Sequence, residues 1–173
     1  MKNCKELLKN ITTFIFDVDG VCSDGSVIAM PDGEQLRTFY VKDGYALQLA
    51  VKLGYRICII SGGRSESIRK RYDYLGIKDV FLGAENKLVF YHDYMKKNNL
   101  KKEEVLYMGD DIPDYLIMKE AGVAACPSDA AEEIKEISIY ISHYPGGRGC
   151  VRDVIEQVMR VQEKWLGQEA FHW

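Results

Sequence analysis

Residues 12–20 read TTFIFDVDG, and this stretch decides the fold. Up to Val18 it is β-branched or aromatic at every position except Asp17, which is the composition of a buried strand. Asp17 and Asp19 stand two apart, so on an extended backbone both carboxylates face the same side. Gly20 then lets the chain turn sharply. On this stretch alone two readings stay open: an Asx turn closing a strand, or paired carboxylates at the mouth of a pocket.

Working outward, residues 55–60 (YRICII), 79–82, 105–108 and 123–126 form further short apolar runs. Between them lie stripes of helical period: Ala46, Leu49, Ala50 and Leu53; Ile68, Tyr72 and Leu75; Leu88, Tyr91, His92 and Met95; Val151, Val154, Ile155, Val158 and Met159. His92, on such a stripe, is expected to pack in the core. Strand–helix alternation predicts an α/β fold, a parallel sheet with helices on both faces. In such sheets the site lies at the carboxyl ends of the strands. Residues 24–40 break the alternation with a Pro31-Asp32-Gly33 turn between two short β-prone runs, and so predict a projecting β-hairpin. Residues 144–173 carry the last helix and a short tail rich in aromatics, expected to pack against the body. There is no repeat or linker. At 173 residues and 47% hydrophobic, residues 1–173 are expected to form one domain.

Composition excludes some classes. With 23 Lys+Arg against 26 Asp+Glu, the net charge of −3 offers no basic stripe for a nucleic acid. Tyr72, Tyr74, Tyr91 and Tyr94 lack the basic groove that would make them a stacking platform. No run approaches the ~18 apolar residues of a membrane span, and residues 1–10, with Lys2, Lys5, Glu6 and Lys9, have no apolar stretch of a signal peptide. The five cysteines are scattered without CxxC spacing. They read as reduced thiols and predict a cytoplasmic protein.

A second acidic cluster, Gly109-Asp110-Asp111-Ile112-Pro113-Asp114, follows another apolar run. Asp111 suits the N-cap of a helix beginning near Pro113, but capping uses one carboxylate and this segment has three. Two like charges ~4 Å apart repel by roughly 4 kcal/mol at an effective dielectric of 20. Gathering Asp17, Asp19 and Asp110 therefore calls for a cation, and few, hard oxygen ligands suit Mg²⁺. An EF-hand is excluded, because Cys22 and Ile28 stand where its glycine and bidentate glutamate belong. Ser61-Gly62-Gly63 closes the YRICII run with a hydroxyl and backbone N–H groups, the makings of an anion cradle or of an ordinary turn. Lys87 opens a helical stripe, where it is either solvated or aimed at the same anion.

Taken in order, DVDG (17–20), Ser61, Lys87 and GDDIPD (109–114) resemble the four motifs of the haloacid dehalogenase-like phosphatases. The resemblance implies a Rossmann-like sheet and aspartyl-phosphate chemistry. Asp17 would be the nucleophile and Asp19 the acid and later the base. Asp17, the Asp19 backbone carbonyl and Asp110 would hold Mg²⁺, with Asp111 and Asp114 supporting them. Ser61, the Gly62 amide and Lys87 would stabilise the transferring phosphoryl group. Only 43 residues separate Asp17 from Ser61 and 25 separate Ser61 from Lys87, so neither gap has room for a cap domain.

The chain looks like the small capless subfamily, homotetramers in which neighbouring subunits cover the site. Residues 17–25 (DVDGVCSDG), 39–45 (FYVKDGY) and 146–152 (GGRGCVR) resemble the members that dephosphorylate an eight-carbon keto-sugar acid. By that match Tyr40, Val41, Lys42, Asp43, Gly44 and Arg71 would contact a small sugar-acid phosphate, Arg71 at its carboxylate. Gly63 and Gln48 stand where many and some members, respectively, carry arginine. Alternatives are a nine-carbon keto-acid phosphate, a phospho-accepting receiver, or a non-catalytic oligomerisation module.

Overall fold

The computed structural model describes residues 4–172. In chain order the elements are α1 (Cys4–Leu8), β1 (Thr13–Phe16), β2 (Ile28–Ala29), β3 (Gln35–Leu36), α2 (Val41–Lys52), β4 (Arg56–Ile60), α3 (Glu66–Tyr74), β5 (Asp79–Phe81), α4 (Lys87–Lys97), β6 (Val105–Met108), α5 (Tyr115–Glu120), β7 (Val123–Cys126), α6 (Glu132–Ile137), β8 (Tyr140–Ile141) and α7 (Cys150–Val161). Six strands form one sheet in the order β5-β4-β1-β6-β7-β8, and every pairing in it is parallel.

Every residue of β1, β6 and β7 is buried, so these strands read as continuous apolar runs. Their side chains alternate between two cores. Phe14, Phe16, Leu106 and Met108 face the layer that includes α2, α3 and α7, while Ile15, Tyr107, Ala124 and Cys126 face α4, α5 and α6. Fully burying side chains of this size is worth ~1.5–3 kcal/mol each. The sheet covered on both faces agrees with the expected fold, and no cap domain interrupts it.

Within residues 24–40, β2 and β3 pair antiparallel as a short hairpin. The tail folds back on the body: Trp165 is buried, Tyr45 OH donates to the Ala170 carbonyl, and Lys52 Nζ donates to the His172 carbonyl at 3.0 Å. One element went unread in the sequence, and one sequence expectation needs correction. The edge strand β8 was not anticipated, because its two residues are too short for a period to show. His92 is not in the core: it is exposed on α4 and meets Glu120 Oε2 at 2.7 Å, since the inward stripe of that helix runs through Tyr91 and Tyr94 instead.

Candidate active site

Phe16 lies level with Ile59 of β4 on one side and Met108 of β6 on the other. Asp17, Ser61 and Asp110 therefore leave three adjacent strands at one edge of the sheet. Neighbouring parallel strands lie ~4.8 Å apart, so their end carboxylates cannot avoid one another. Oxygens of Asp17, Asp110 and Asp114 all fall within 4.8 Å of each other.

Lys87 enters this group from the start of α4. Its ammonium lies 2.9 Å from Asp17 Oδ1 and 2.8 Å from Asp114 Oδ1. Asp114 is fully buried and saturated: Tyr107 OH donates to Oδ1 at 2.6 Å, and the Asp110 N–H donates to Oδ2 at 3.2 Å. Two glycines make the approach possible. A Cβ on Gly109 would strike the Asp114 side chain, and one on Gly20, whose φ is +90°, would strike the Asp110 carboxylate.

The electrostatics are those of a site built for a cation. Burial pushes the Asp17 carboxyl up to about 8, helped by the charge of Asp114 and opposed by Lys87. Burial and Asp114 likewise raise Asp110 to about 7, against Lys87. Burial pulls the Lys87 pKa down, but Asp17 and Asp114 more than reverse this, and it ends above its ordinary value. Asp110 Oδ1 is buried without a hydrogen-bond partner. A divalent cation would satisfy that oxygen and relieve the repulsion, so the residues present fit one.

The other expected residues are placed as follows. The Asp19 carboxylate is turned towards the hairpin, where Arg37 holds it at 2.6 and 2.9 Å and the Ser23 hydroxyl donates to it at 3.1 Å. Ser61 is buried and its hydroxyl accepts the Gly63 N–H at 3.0 Å; Gly62 is exposed. Asp111 occupies an N-cap position without a side-chain cap bond, and its side chain faces solvent.

Tyr40, Val41, Lys42, Asp43, Gly44 and Arg71 do not border the carboxylate cavity. Tyr40 and Lys42 line a separate cavity with His143, Arg148 and Arg152, and Val41 is exposed. Asp43 is buried and accepts the Gly149 and Arg152 N–H groups at 3.2 and 2.8 Å. Arg71 lies against Gly44, where a Cβ would collide with its guanidinium.

Sequence reasoning missed four residues at the site: Tyr107, Asp129, Asp24 and Arg37. Asp24 and Asp129 border the cavity, and Asp129 Oδ1 accepts the Gly146 N–H at 2.9 Å. Asp129 follows the β7 run closely, so the strand-end rule that singled out Asp17 was a signal for it too. Tyr107 sits in an apolar run and gave none. The GGRG segment lies on the loop after Asp17 of its own chain: Gly147 N–H donates to the Val21 carbonyl at 2.8 Å, and a Cβ on Gly146 would strike the Gly20 carbonyl.

An aspartate at the end of a central strand, a second two residues on, a lysine on the first and an acidic cluster that fits a cation are the constellation that the resemblance to the haloacid dehalogenase-like phosphatases implies. No family model matches the chain. A relative from Salmonella typhi, 3-deoxy-D-manno-octulosonate 8-phosphate phosphatase KdsC, is 35% identical over 156 residues, 90% of this chain and 83% of that protein. The crystal structure of 3-deoxy-D-manno-octulosonate 8-phosphate phosphatase from Moraxella catarrhalis, in complex with a magnesium ion, a phosphate ion and KDO, superposes with a TM-score of 0.89 at 34% identity, covering 92% of this chain and 91% of that one. A putative haloacid dehalogenase superfamily (subfamily III A) hydrolase from Legionella pneumophila gives a TM-score of 0.91 at 31% identity, covering 96% and 91%. The chain belongs to the family of 3-deoxy-D-manno-octulosonate 8-phosphate phosphatases.

Proposed function

We propose that this chain releases phosphate from 3-deoxy-D-manno-octulosonate 8-phosphate, through an aspartyl-phosphate on Asp17 and with Mg²⁺ as the cation. The observation that supports it most is the buried Asp17 carboxylate 2.9 Å from the Lys87 ammonium, on the same edge as Ser61 and Asp110. An Asp17 oxygen attacks phosphorus, the ester P–O bond breaks, and Asp19 gives its proton to the departing sugar alkoxide. Asp19, now a carboxylate, takes a proton from water as that water attacks the phosphorus, which frees Asp17 and inorganic phosphate. Lys87, the Ser61 hydroxyl and the Gly62 amide carry charge on the transferring group. Asp17, the Asp19 carbonyl and Asp110 would hold Mg²⁺, with Asp111 and Asp114 supporting. Bound there, the ion supplies Lewis-acid neutralisation of a phosphoryl oxygen.

The names of the relatives favour the eight-carbon acid over the nine-carbon one. Five free thiols suit the cytoplasm, and among the described residues no helix is long and apolar enough to cross a membrane. We also infer a homotetramer in which a neighbouring subunit brings Tyr40, Val41, Lys42 or Arg71 towards the substrate, while Asp43 and Gly44, buried in their own chain, position that segment.

The test is phosphate release from the eight- and nine-carbon keto-acid phosphates side by side, with Mg²⁺ and with EDTA. We expect Mg²⁺-dependent release with preference for the eight-carbon ester. Asp17→Asn is expected to have no turnover and an unchanged circular dichroism spectrum. Preference for the nine-carbon ester would move the substrate, and an active Asp17→Asn would remove Asp17 as nucleophile.

A further inference from the structure

Arg37 follows β3 at the base of the hairpin, and its side chain turns back over the site, where only 2% of it is exposed. Nε and Nη2 engage both oxygens of Asp19 at 2.6 and 2.9 Å. Nη1 donates to the Gln35 carbonyl at 2.8 Å, and Nη2 also reaches Gln35 Oε1 at 3.4 Å. Gln35 thus fixes the guanidinium independently of Asp19, and the fork stays in place if Asp19 leaves it. Two parallel N–H bonds are the geometry in which arginine takes any carboxylate.

The fork also lies beside the phosphate cradle. A Cβ placed on Gly63 would come 3.1 Å from Arg37 Nη2 and 3.2 Å from Ser61 Oγ, so the two groups flank a single glycine. Next to it a cavity of about 380 Å³ runs between Gly33, Glu34 and Gln35 of the hairpin and the loop from Gly62 to Ser65. That is enough for a small molecule, since such pockets occupy ~300–1,000 Å³. The other cations near the site are less suited. Lys87 is committed to Asp17 and Asp114, Arg64, which lines that cavity, is exposed and bonded to Glu85 at 2.7 Å, and Arg148 is exposed and touches Asp24 at 3.3 Å.

We propose that Arg37 is a specificity-determining residue that reads the carboxylate of a sugar-acid phosphate, which replaces the Asp19 carboxylate in the fork. One carboxylate exchanges for another, so no buried charge is left unpaired, and Asp19 is released to turn to the leaving oxygen. This rests on the sugar-acid reading above. Docking of the hairpin does not depend on Arg37 alone, because the Ser65 hydroxyl also bonds Glu34.

The test compares wild type, Arg37→Gln and Arg37→Lys on the two keto-acid phosphates and on glucose 6-phosphate, which has a similar leaving alcohol and no carboxylate. Arg37→Gln should lose about 10- to 100-fold in kcat/KM on the keto acids, as expected for a lost charge-assisted pair. The loss should fall mainly on KM, and the preference for the keto acids over glucose 6-phosphate should fall by that factor, whatever the unpaired Asp19 does to both esters alike; Arg37→Lys should fall between. An unchanged circular dichroism spectrum reports that the variant is folded, and if Arg37→Gln does not fold, Arg37→Lys decides. Equal losses on acid and neutral esters would make Arg37 a latch for the hairpin and overturn the proposal. Unchanged acid preference in both variants would overturn it as well, leaving the sugar-acid reading intact. A wild-type enzyme with no preference for keto acids over glucose 6-phosphate would remove that reading and this inference with it.

Discussion

Asp17 and Asp110 show what a single residue's surroundings decide. Both bind a proton more tightly in the folded protein, near pH 8 and 7, than in an unfolded chain near 4. Between those values the native state holds more protons than the unfolded one, so their ionisation lowers stability as pH rises through that window. A divalent cation takes the place of those protons. We therefore expect Mg²⁺ to raise the melting temperature by several-fold more at about pH 8 than at about pH 5.5. Differential scanning fluorimetry at the two pH values, with and without the ion, checks this. An equal rise at both, or one that survives Asp110→Asn, would mean that the ion acts elsewhere. The carboxylates themselves were legible, because strand ends announce them. Their partners were not: Tyr107 hides in an apolar strand, and Arg37 meets Asp19 across 18 residues of sequence.

At the scale of elements, α2 and α7 are joined by Asp43. Its carboxylate receives two amides of the first turn of α7, a favourable place for negative charge. The same turn follows the Gly146–Gly147 contact with the loop after Asp17, so α7, its glycine segment and that loop are held as one unit. Burial nevertheless lifts the Asp43 pKa to about 6, against the two amide bonds. Asp43→Ala leaves the buried Gly149 N–H and the part-buried Arg152 N–H without an acceptor, the first at a cost of ~1–3 kcal/mol. We expect a loss of stability of about that size by urea unfolding, together with reduced kcat through displacement of the glycine segment. Unchanged stability would mean that water replaces the carboxylate. From sequence, Asp43 was expected at the substrate, because the FYVKDGY match says which residues matter but not which way they point. The partner amides lie more than 100 positions away, as the separations of 106 and 109 show, and no local pattern encodes them. The long stripes of α2, α3 and α7 were legible because each buries one continuous face.

For the whole molecule, alternation predicted the parallel sheet but not its order, which depends on which strand each helix crosses to. That order puts β1 between β4 and β6 and so brings motifs from distant parts of the chain to one edge. It also leaves the hairpin outside the sheet with an apolar surface: Val27, Ile28, Met30 and Leu36 are 44%, 61%, 40% and 40% exposed, and Val41 at the start of α2 is 63% exposed. Scattered exposed apolar residues need no explanation, but four on one short hairpin form a patch of the kind that marks an interface. A stable interface buries about 1,200–2,000 Å² in total, more than a hairpin tip supplies alone, so the assembly inferred above needs further surface, for which the exposed Val41 is a candidate. Light scattering on a sizing column should then give a mass near four times the 19.8 kDa of the chain. Ile28→Asp with Leu36→Asp, both on the solvent side of the hairpin, should yield smaller species with an unchanged circular dichroism spectrum. If neighbouring subunits supply substrate contacts, the dissociated variant should show raised KM for the keto-acid phosphate and little change towards glucose 6-phosphate. A wild-type protein that runs as a monomer at working concentration, with full activity, would leave the hairpin as a flap over its own site and assign Lys42 and Arg71 no part in substrate binding.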